Sequence, residues 1–191
     1  MLEPVPSLSP PPLLTARDLL ARPDLYKHNC ELWDGVLQVR DSSGGEGDLV
    51  ACRIVEPLAR YVRERRLGWV TLSSHGYQVG RNPDRVLSPD TAYTSKVRLP
   101  EHPKRGFTPM APDFAVEVIS PSDSREAQMA KAGVWLAHGS RVVWVVDPER
   151  REVVVLRALV PPEVVGRGGV VSAAPALPRF RLAVARLFPA Y

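Results

Sequence analysis

Two carboxylates inside an otherwise apolar strand constrain this chain more than any other feature. Residues Ala111 to Ser122 read Ala-Pro-Asp-Phe-Ala-Val-Glu-Val-Ile-Ser-Pro-Ser, a buried strand bounded by two prolines. Side chains alternate between the faces of a strand. Phe114, Val116 and Val118 therefore share one face, and Asp113, Ala115, Glu117 and Ile119 share the other. Acids on a buried face are costly to desolvate unless a cation, a metal ion or hydrogen bonds compensate them. The fold must place such a partner opposite that face.

The segments before this strand supply hairpins and one long helix. Thr15 caps a short helix, with Asp18 three residues on as its acidic partner, and Pro23 ends it. Asp34-Gly35 between alternating apolar residues predicts a hairpin over Cys30 to Val39, with Glu31 on its first strand. On sequence alone Glu31 is equally a solvent-facing strand residue. Asp41 to Asp48 reads as a glycine-rich loop, followed by a helix over Leu49 to Arg66. The apolar stripe of that helix is Leu49, Ile54, Val55, Leu58, Tyr61 and Val62, and Gly68 closes it. Pro57 predicts a kink or a stop. Arg60, Arg63 and Arg66 line one flank, as a solvated face or as a phosphate-contacting ridge. Two short strands follow at Trp69 to Leu72 and Gly76 to Val79, and a longer one runs from Val86 to Thr94. Ser95 to Met110 is a basic, proline-containing linker of the length that is often functional.

After the acidic strand, Asp123 and Glu126 predict the start of a helix that Gly139 stops. Arg141 to Asp147 is an apolar run of the kind covered on both sides of a sheet. Glu152 to Arg157 returns as its hairpin partner, Pro161 to Pro175 is a weakly patterned loop with some extended structure, and a short amphipathic segment closes the chain. The order of elements describes an α/β fold with a mixed sheet flanked by helices. The expected organisation is a flexible segment over residues 1–12 and one domain over 13–191.

The candidate chemistry lies in Asp90 on one strand, Asp113 and Glu117 on the next, and Lys131 on the following helix, with Glu31 as a fifth member. Carboxylates on adjacent strands suit Mg²⁺, a hard cation that prefers oxygen ligands. Such an ion activates water and offsets charge on phosphorus, and a lysine orients the water or stabilises the developing charge. Lysine is scarce here, with Lys27, Lys96, Lys104 and Lys131 the only ones among 25 basic residues. Gln128, three residues before Lys131, shares its helix face. The bland alternatives are that Asp113 caps a turn after Pro112 and that Glu117 is a buried acid paired with an arginine. The four histidines show no metal spacing, and Ser120 and Ser122 lack a nucleophile-elbow context.

Cys30 and Cys52 stand alone, without zinc-site spacing, which points to a reducing, cytoplasmic setting. No apolar run approaches the roughly 18–20 residues that span a bilayer, and the proline-rich start is not a secretory signal. The net charge of +4 agrees with a polyanionic partner.

Taken in order, Glu31-Leu32-Trp33-Asp34-Gly35, Pro89-Asp90-Thr91-Ala92-Tyr93, Ala111 to Ser122, Lys131 to Asp147 and the closing Leu177 to Phe188 resemble the bacterial "putative restriction endonuclease" domain family. That family is a branch of the PD-(D/E)xK nuclease superfamily, and the resemblance spans roughly residues 13 to 188. It implies a restriction-endonuclease-like fold, with additional N-terminal and C-terminal hairpin strands around the central sheet. It also implies a Mg²⁺-dependent nuclease site that accepts Mn²⁺, a DNA substrate and a homodimer. Pro89-Asp90 matches the "PD" and Glu117 the "(D/E)". The "K" position is Ile119, and in the family that role passes to the next helix, which points to Lys131. On this reading Asp90, Asp113 and Glu117 bind metal, while Asp90, Glu117, Lys131 and Glu31 are catalytic. The family's histidine near the start of the first long helix is missing between Asp48 and Ile54. A non-catalytic nucleic-acid-binding or regulatory module that keeps the fold is the second reading, and an interaction protein with structural acids is the third.

Overall fold

A computed structural model describes residues 12–22, 30–39, 45–101 and 105–188. The flexible segment expected at residues 1–12 lies outside them except for Pro12, as do Pro23, Lys27 and Lys104. The chain order is α1 (Ala16–Leu20), β1 (Cys30–Trp33), β2 (Val36–Val39), α2 (Gly45–Glu64), β3 (Gly68–Leu72), β4 (Tyr77–Gly80), β5 (Arg85–Leu87) and β6 (Thr91–Ser95). It continues with β7 (Phe114–Val118), α3 (Arg125–Ala137), β8 (Val142–Asp147), β9 (Glu152–Arg157), β10 (Val160–Gly166), β11 (Val170–Ser172), β12 (Arg181–Ala183) and a 3₁₀ turn at Val184–Arg186.

The central sheet is mixed, in the order β10-β9-β8-β7-β6-β3. β7 and β8 are parallel, which needs a crossover, and α3 provides it. All residues of both strands are buried, as their unbroken apolar runs require. Alternation along β7 holds. Phe114, Val116 and Val118 pack with Val50, Ile54 and Leu58 of α2, whereas Ala115 faces Ala132 and Trp135 of α3. Each such buried aliphatic or aromatic side chain is worth about 1.5–3 kcal/mol, so β7 is the hinge of two hydrophobic layers.

A smaller sheet, β2-β1-β5-β4, stands beside the first, and β11 pairs with β12 separately. The β1–β2 hairpin turns at Asp34 and Gly35, both at positive φ (50° and 82°), as an Asp-Gly turn demands. The strand expected over Val86 to Thr94 is in fact two. β5 pairs with β1 in the small sheet and β6 with β3 and β7 in the central one. Ser88-Pro89-Asp90 crosses between them, and Pro89 has no N–H to continue a ladder.

Several boundaries move for identifiable reasons. α2 begins at Gly45, so half of the expected loop is its first turn, with Glu46 and Asp48 placed favourably at its N-terminus. Its buried stripe runs through Gly47, Val50, Ile54, Leu58 and Val62, while Leu49 is exposed. The helix continues through Pro57. It is closed by Arg66 in the left-handed region (φ 51°) rather than by Gly68. Gly68 answers a different demand, since a Cβ there would sit 2.1 Å from the Thr94 carbonyl oxygen of β6. Thr15 and Asp18 form the expected capping box of α1. α3 is capped by Ser124, which releases Asp123 for other partners. β10 replaces part of the expected loop. It is an exposed edge strand, so its sequence carries no buried alternation. No helix among the described residues is long and apolar enough to cross a membrane.

Candidate active site

The partner required by the buried acid of β7 is Lys131. Glu117 is fully buried, and its Oε2 lies 3.0 Å from Lys131 Nζ while its Oε1 accepts the Trp135 indole N–H at 2.7 Å. Glu31 of β1 meets the same ammonium from the small sheet, with Oε1 at 2.6 Å from Nζ. Its Oε2 accepts the Trp33 indole N–H at 3.0 Å, and its Oε1 also accepts the Ser88 N–H at 3.0 Å. Lys131 Nζ further donates to the Ser88 carbonyl oxygen at 2.9 Å. The result is a buried chain Trp33–Glu31–Lys131–Glu117–Trp135 that ties both sheets to α3. An ammonium has three hydrogens, and Glu31, Glu117 and Ser88 use three. The two desolvated carboxylates share one positive charge, and the Trp33 and Trp135 indole N–H groups and the Ser88 N–H complete their hydrogen bonding.

The local sequence explains the convergence. Glu31 and Trp33 are two apart on a strand and share a face. Lys131 and Trp135 are four apart on a helix and share a face, with Gln128 one turn earlier. Asp90 is held against β7 on both sides. Its N–H donates to the Val116 carbonyl at 3.0 Å, and its Oδ2 accepts the Val118 N–H at 2.6 Å.

Above this network opens a cleft of about 310 Å³ at the C-terminal end of β7. Glu31, Asp48, Asp90 and Asp123 supply carboxylates to its wall, and Lys131 supplies one ammonium, with Gln128 beside it. Glu117 lies beneath the wall and not in it. Asp123 accepts hydrogen bonds from Ser120 Oγ at 2.8 Å and from Gln128 Nε2 at 2.9 Å. Four carboxylates against one ammonium suit a hard divalent cation in chemistry. Among the described residues no three histidine, cysteine or acidic side chains already converge on one point. The donor set therefore fits such an ion in kind, and closing on it requires side-chain movement.

A family model described as "Putative restriction endonuclease", Uma2, matches residues 16–185. The chain belongs to this family. A crystal structure described as that of "a putative nuclease belonging to DUF820" from Anabaena variabilis ATCC 29413 shares the fold. Its TM-score is 0.73 over 83% of this chain and 89% of that one, at 22% identity. No curated protein matches the chain. The mixed sheet flanked by helices is thus the restriction-endonuclease-like fold of a Uma2 member.

Within this Uma2 chain, four of the five candidate residues come together and one does not. Glu31, Asp90, Glu117 and Lys131 gather at the C-terminal end of β7. Asp113 precedes the other end, about 13 Å away at ~3.3 Å per residue. Its Oδ2 accepts the Ser95 N–H at 2.8 Å and its Oδ1 lies 3.3 Å from Arg98 Nη1. Neither bland alternative applies as stated, because the arginine partner belongs to Asp113, not Glu117. Asp113→Asn is expected to lower stability by about 1–3 kcal/mol in urea unfolding and to leave cation binding at the cleft unchanged. Weakened cation binding would return Asp113 to the site. The arginine flank is displaced too. Arg60 and Arg63 lie about 18–22 Å beyond Asp48 along α2 at ~1.5 Å per residue, and the linker after Ser95 starts beside Asp113.

The sequence assigned no site role to Trp33, Trp135 or Asp48, and it read Asp123 as a helix cap, a position that Ser124 takes. The spacing signal for both tryptophans was present, two from Glu31 and four from Lys131. Nothing local marked Asp48, because it sits on the turn of α2 that reads as loop.

Proposed function

We propose that this chain is a divalent-cation-dependent endonuclease that hydrolyses phosphodiester bonds in DNA. The observation that carries the reading is the acidic cleft set directly on the Glu31–Lys131–Glu117 network, in a chain of the family described as "Putative restriction endonuclease". A polyanionic substrate entering a wall of four carboxylates and one ammonium needs a neutralising cation. Asp90, with Glu117 drawn up from beneath, would hold Mg²⁺ or Mn²⁺, which supplies Lewis-acid activation of water and charge neutralisation at phosphorus. The chain's own groups do the rest. Glu31 and Ser88 position the Lys131 ammonium, and Trp135 holds Glu117 as a charged acceptor. Lys131 must exchange one of its three partners before it can donate to substrate or water.

A second reading, a nucleic-acid-binding or regulatory module without catalysis, is favoured by the saturation of Lys131 and the depth of Glu117. One experiment separates the two. Supercoiled DNA is incubated with the protein and Mg²⁺ or Mn²⁺, with and without chelator. Nicking or linearisation that the chelator stops supports the endonuclease. Salt-sensitive binding without cleavage under every cation supports the module.

The proposal extends to residues 13–191 acting as one domain, to a homodimer, and to a cytoplasmic setting. Neither Cys30 nor Cys52 is in a disulfide, which suits a reducing compartment. Exposed Val160 and Val164 on the edge strand β10 offer apolar surface for self-association, which sedimentation measures directly.

A further inference from the structure

The pole of the central sheet opposite the cleft carries a row of cations. Arg141 precedes β8, Lys96 follows β6, and Arg66 stands two residues before β3. Backbone groups fix their order. The Arg141 N–H donates to the Asp113 carbonyl oxygen at 2.9 Å, the Ser95 N–H to the Asp113 carboxylate at 2.8 Å, and the Lys96 N–H to the Leu67 carbonyl oxygen at 3.0 Å. β8, β7, β6 and β3 are successive neighbours in the sheet, so the row spans about 14 Å at ~4.8 Å per strand. Arg66, Lys96 and Arg141 are exposed and make no ion pair among the described residues. Two acids stand among them, and each is engaged by an arginine of its own: Asp113 by Arg98 and Glu64 by Arg65, whose guanidinium also lies over the Tyr61 ring. α2 and α3 end at this pole as well. A helix C-terminus carries about half a negative charge, so the two helix ends together offset only about one of the three free cations.

We infer that this row grips the phosphate backbone of duplex DNA at a place separate from the cleft, and that this grip needs no divalent cation. The two ends of the molecule differ in sign. The cleft wall sets four carboxylates against one ammonium and repels a polyanion until a metal ion neutralises it. The opposite pole is positive as it stands. Asp48 in the cleft wall and Glu64 beside the row are about 24 Å apart along α2 at ~1.5 Å per residue, so the row is no part of the cleft. Phosphates of one DNA strand follow at about 3.4 Å along the axis, and a 14 Å row meets about four of them. Two of its three free members are arginines, whose planar guanidinium suits a phosphate in two-point contact. Contacts of this kind position a duplex and read no bases, so the binding is sequence-independent.

The test is fluorescence anisotropy of a labelled 30-base-pair duplex in chelator, across a salt series, so that neither cleavage nor a cleft cation contributes. Arg66→Gln/Lys96→Gln/Arg141→Gln is compared with wild type and with Arg17→Gln/Arg81→Gln/Arg167→Gln. The second triple makes the same change in net charge at exposed arginines on other elements. Wild type should bind in chelator with a steep salt dependence. The row variant should bind about 30-fold or more weakly at 100 mM salt and lose about three from the slope of log affinity against log salt. Each of its single substitutions should lower that slope by about one, which keeps the test open if the triple variant unfolds. The control triple should stay within about threefold of wild type. No wild-type binding in chelator, a row variant that binds like wild type, or a control that loses as much as the row variant overturns the inference. So does a row variant that keeps DNA binding but no longer binds phosphatidylserine vesicles, which assigns the row to a lipid surface. The inference does not rest on the endonuclease reading. Metal-dependent cleavage with an unaffected row variant overturns the row alone, and binding through the row without cleavage under any cation overturns the endonuclease alone.

Discussion

Lys131→Met is expected to lose about 3–5 kcal/mol of stability, the cost of leaving buried carboxylates without their cation. The methionine matches the lysine stem in length, so packing against α3 is kept and the effect is electrostatic. Glu31 and Glu117 are 3% and 0% exposed, and both depend on the same ammonium. The companion variant Lys131→Met/Glu31→Gln/Glu117→Gln removes the whole charged set and should recover most of that loss, because the neutral amides still accept from Trp33 and Trp135. Urea unfolding of the single and triple variants decides the matter. A Lys131→Met protein as stable as wild type would mean that the network is not the cross-link between the two sheets.

Asp90→Asn is expected to lower cation-dependent cleavage by at least about 100-fold, the upper end for groups that merely support a metal's ligands. The fold should survive it. The asparagine carbonyl can still accept the Val118 N–H, so the stability cost is about 1 kcal/mol. Glu117→Gln should behave alike in activity, since its single amide oxygen can keep the Trp135 hydrogen bond but gives up the charge and the bond to Lys131. Calorimetric titration with Mn²⁺ is the independent readout, and both variants should bind it more weakly. Cleavage at the wild-type rate in Asp90→Asn would exclude Asp90 from the site.

Much of this arrangement was legible from local rules. The alternation along β7, the turn at Asp34-Gly35, the capping box at Thr15 and the stop at Gly139 each rest on interactions within a few residues, and each is present. The same holds for the pairing of Glu117 with a cation, because an apolar strand leaves a buried acid few alternatives. Local rules failed where a distant partner decides. The break between β5 and β6 exists because two different sheets claim Val86 and Thr91. β10 was legible only as some extended structure within a loop, because an exposed edge strand carries no alternation, and the first turn of α2 was missed because Gly45, Glu46 and Gly47 look like loop until Val118 packs beside Gly47.

The sequence by itself determined that Glu117 carries charge onto a buried face, whereas it left Glu31 equally solvent-facing and offered Asp90 and Lys131 only as candidate partners. It did so because strand and helix periodicities assign faces without knowledge of the rest of the chain. Only the tertiary structure decided which of two acids, Asp113 just before β7 or Glu117 within it, stands beside Lys131. Asp113 and Glu117 share a face, but a strand separates them by about 13 Å, and different elements meet its two ends. Arg98 and Ser95 arrive at one end, and Lys131, Asp90 and Glu31 at the other. Face is a local property of the chain, whereas the end of a strand at which a partner stands is set by how distant segments cross it.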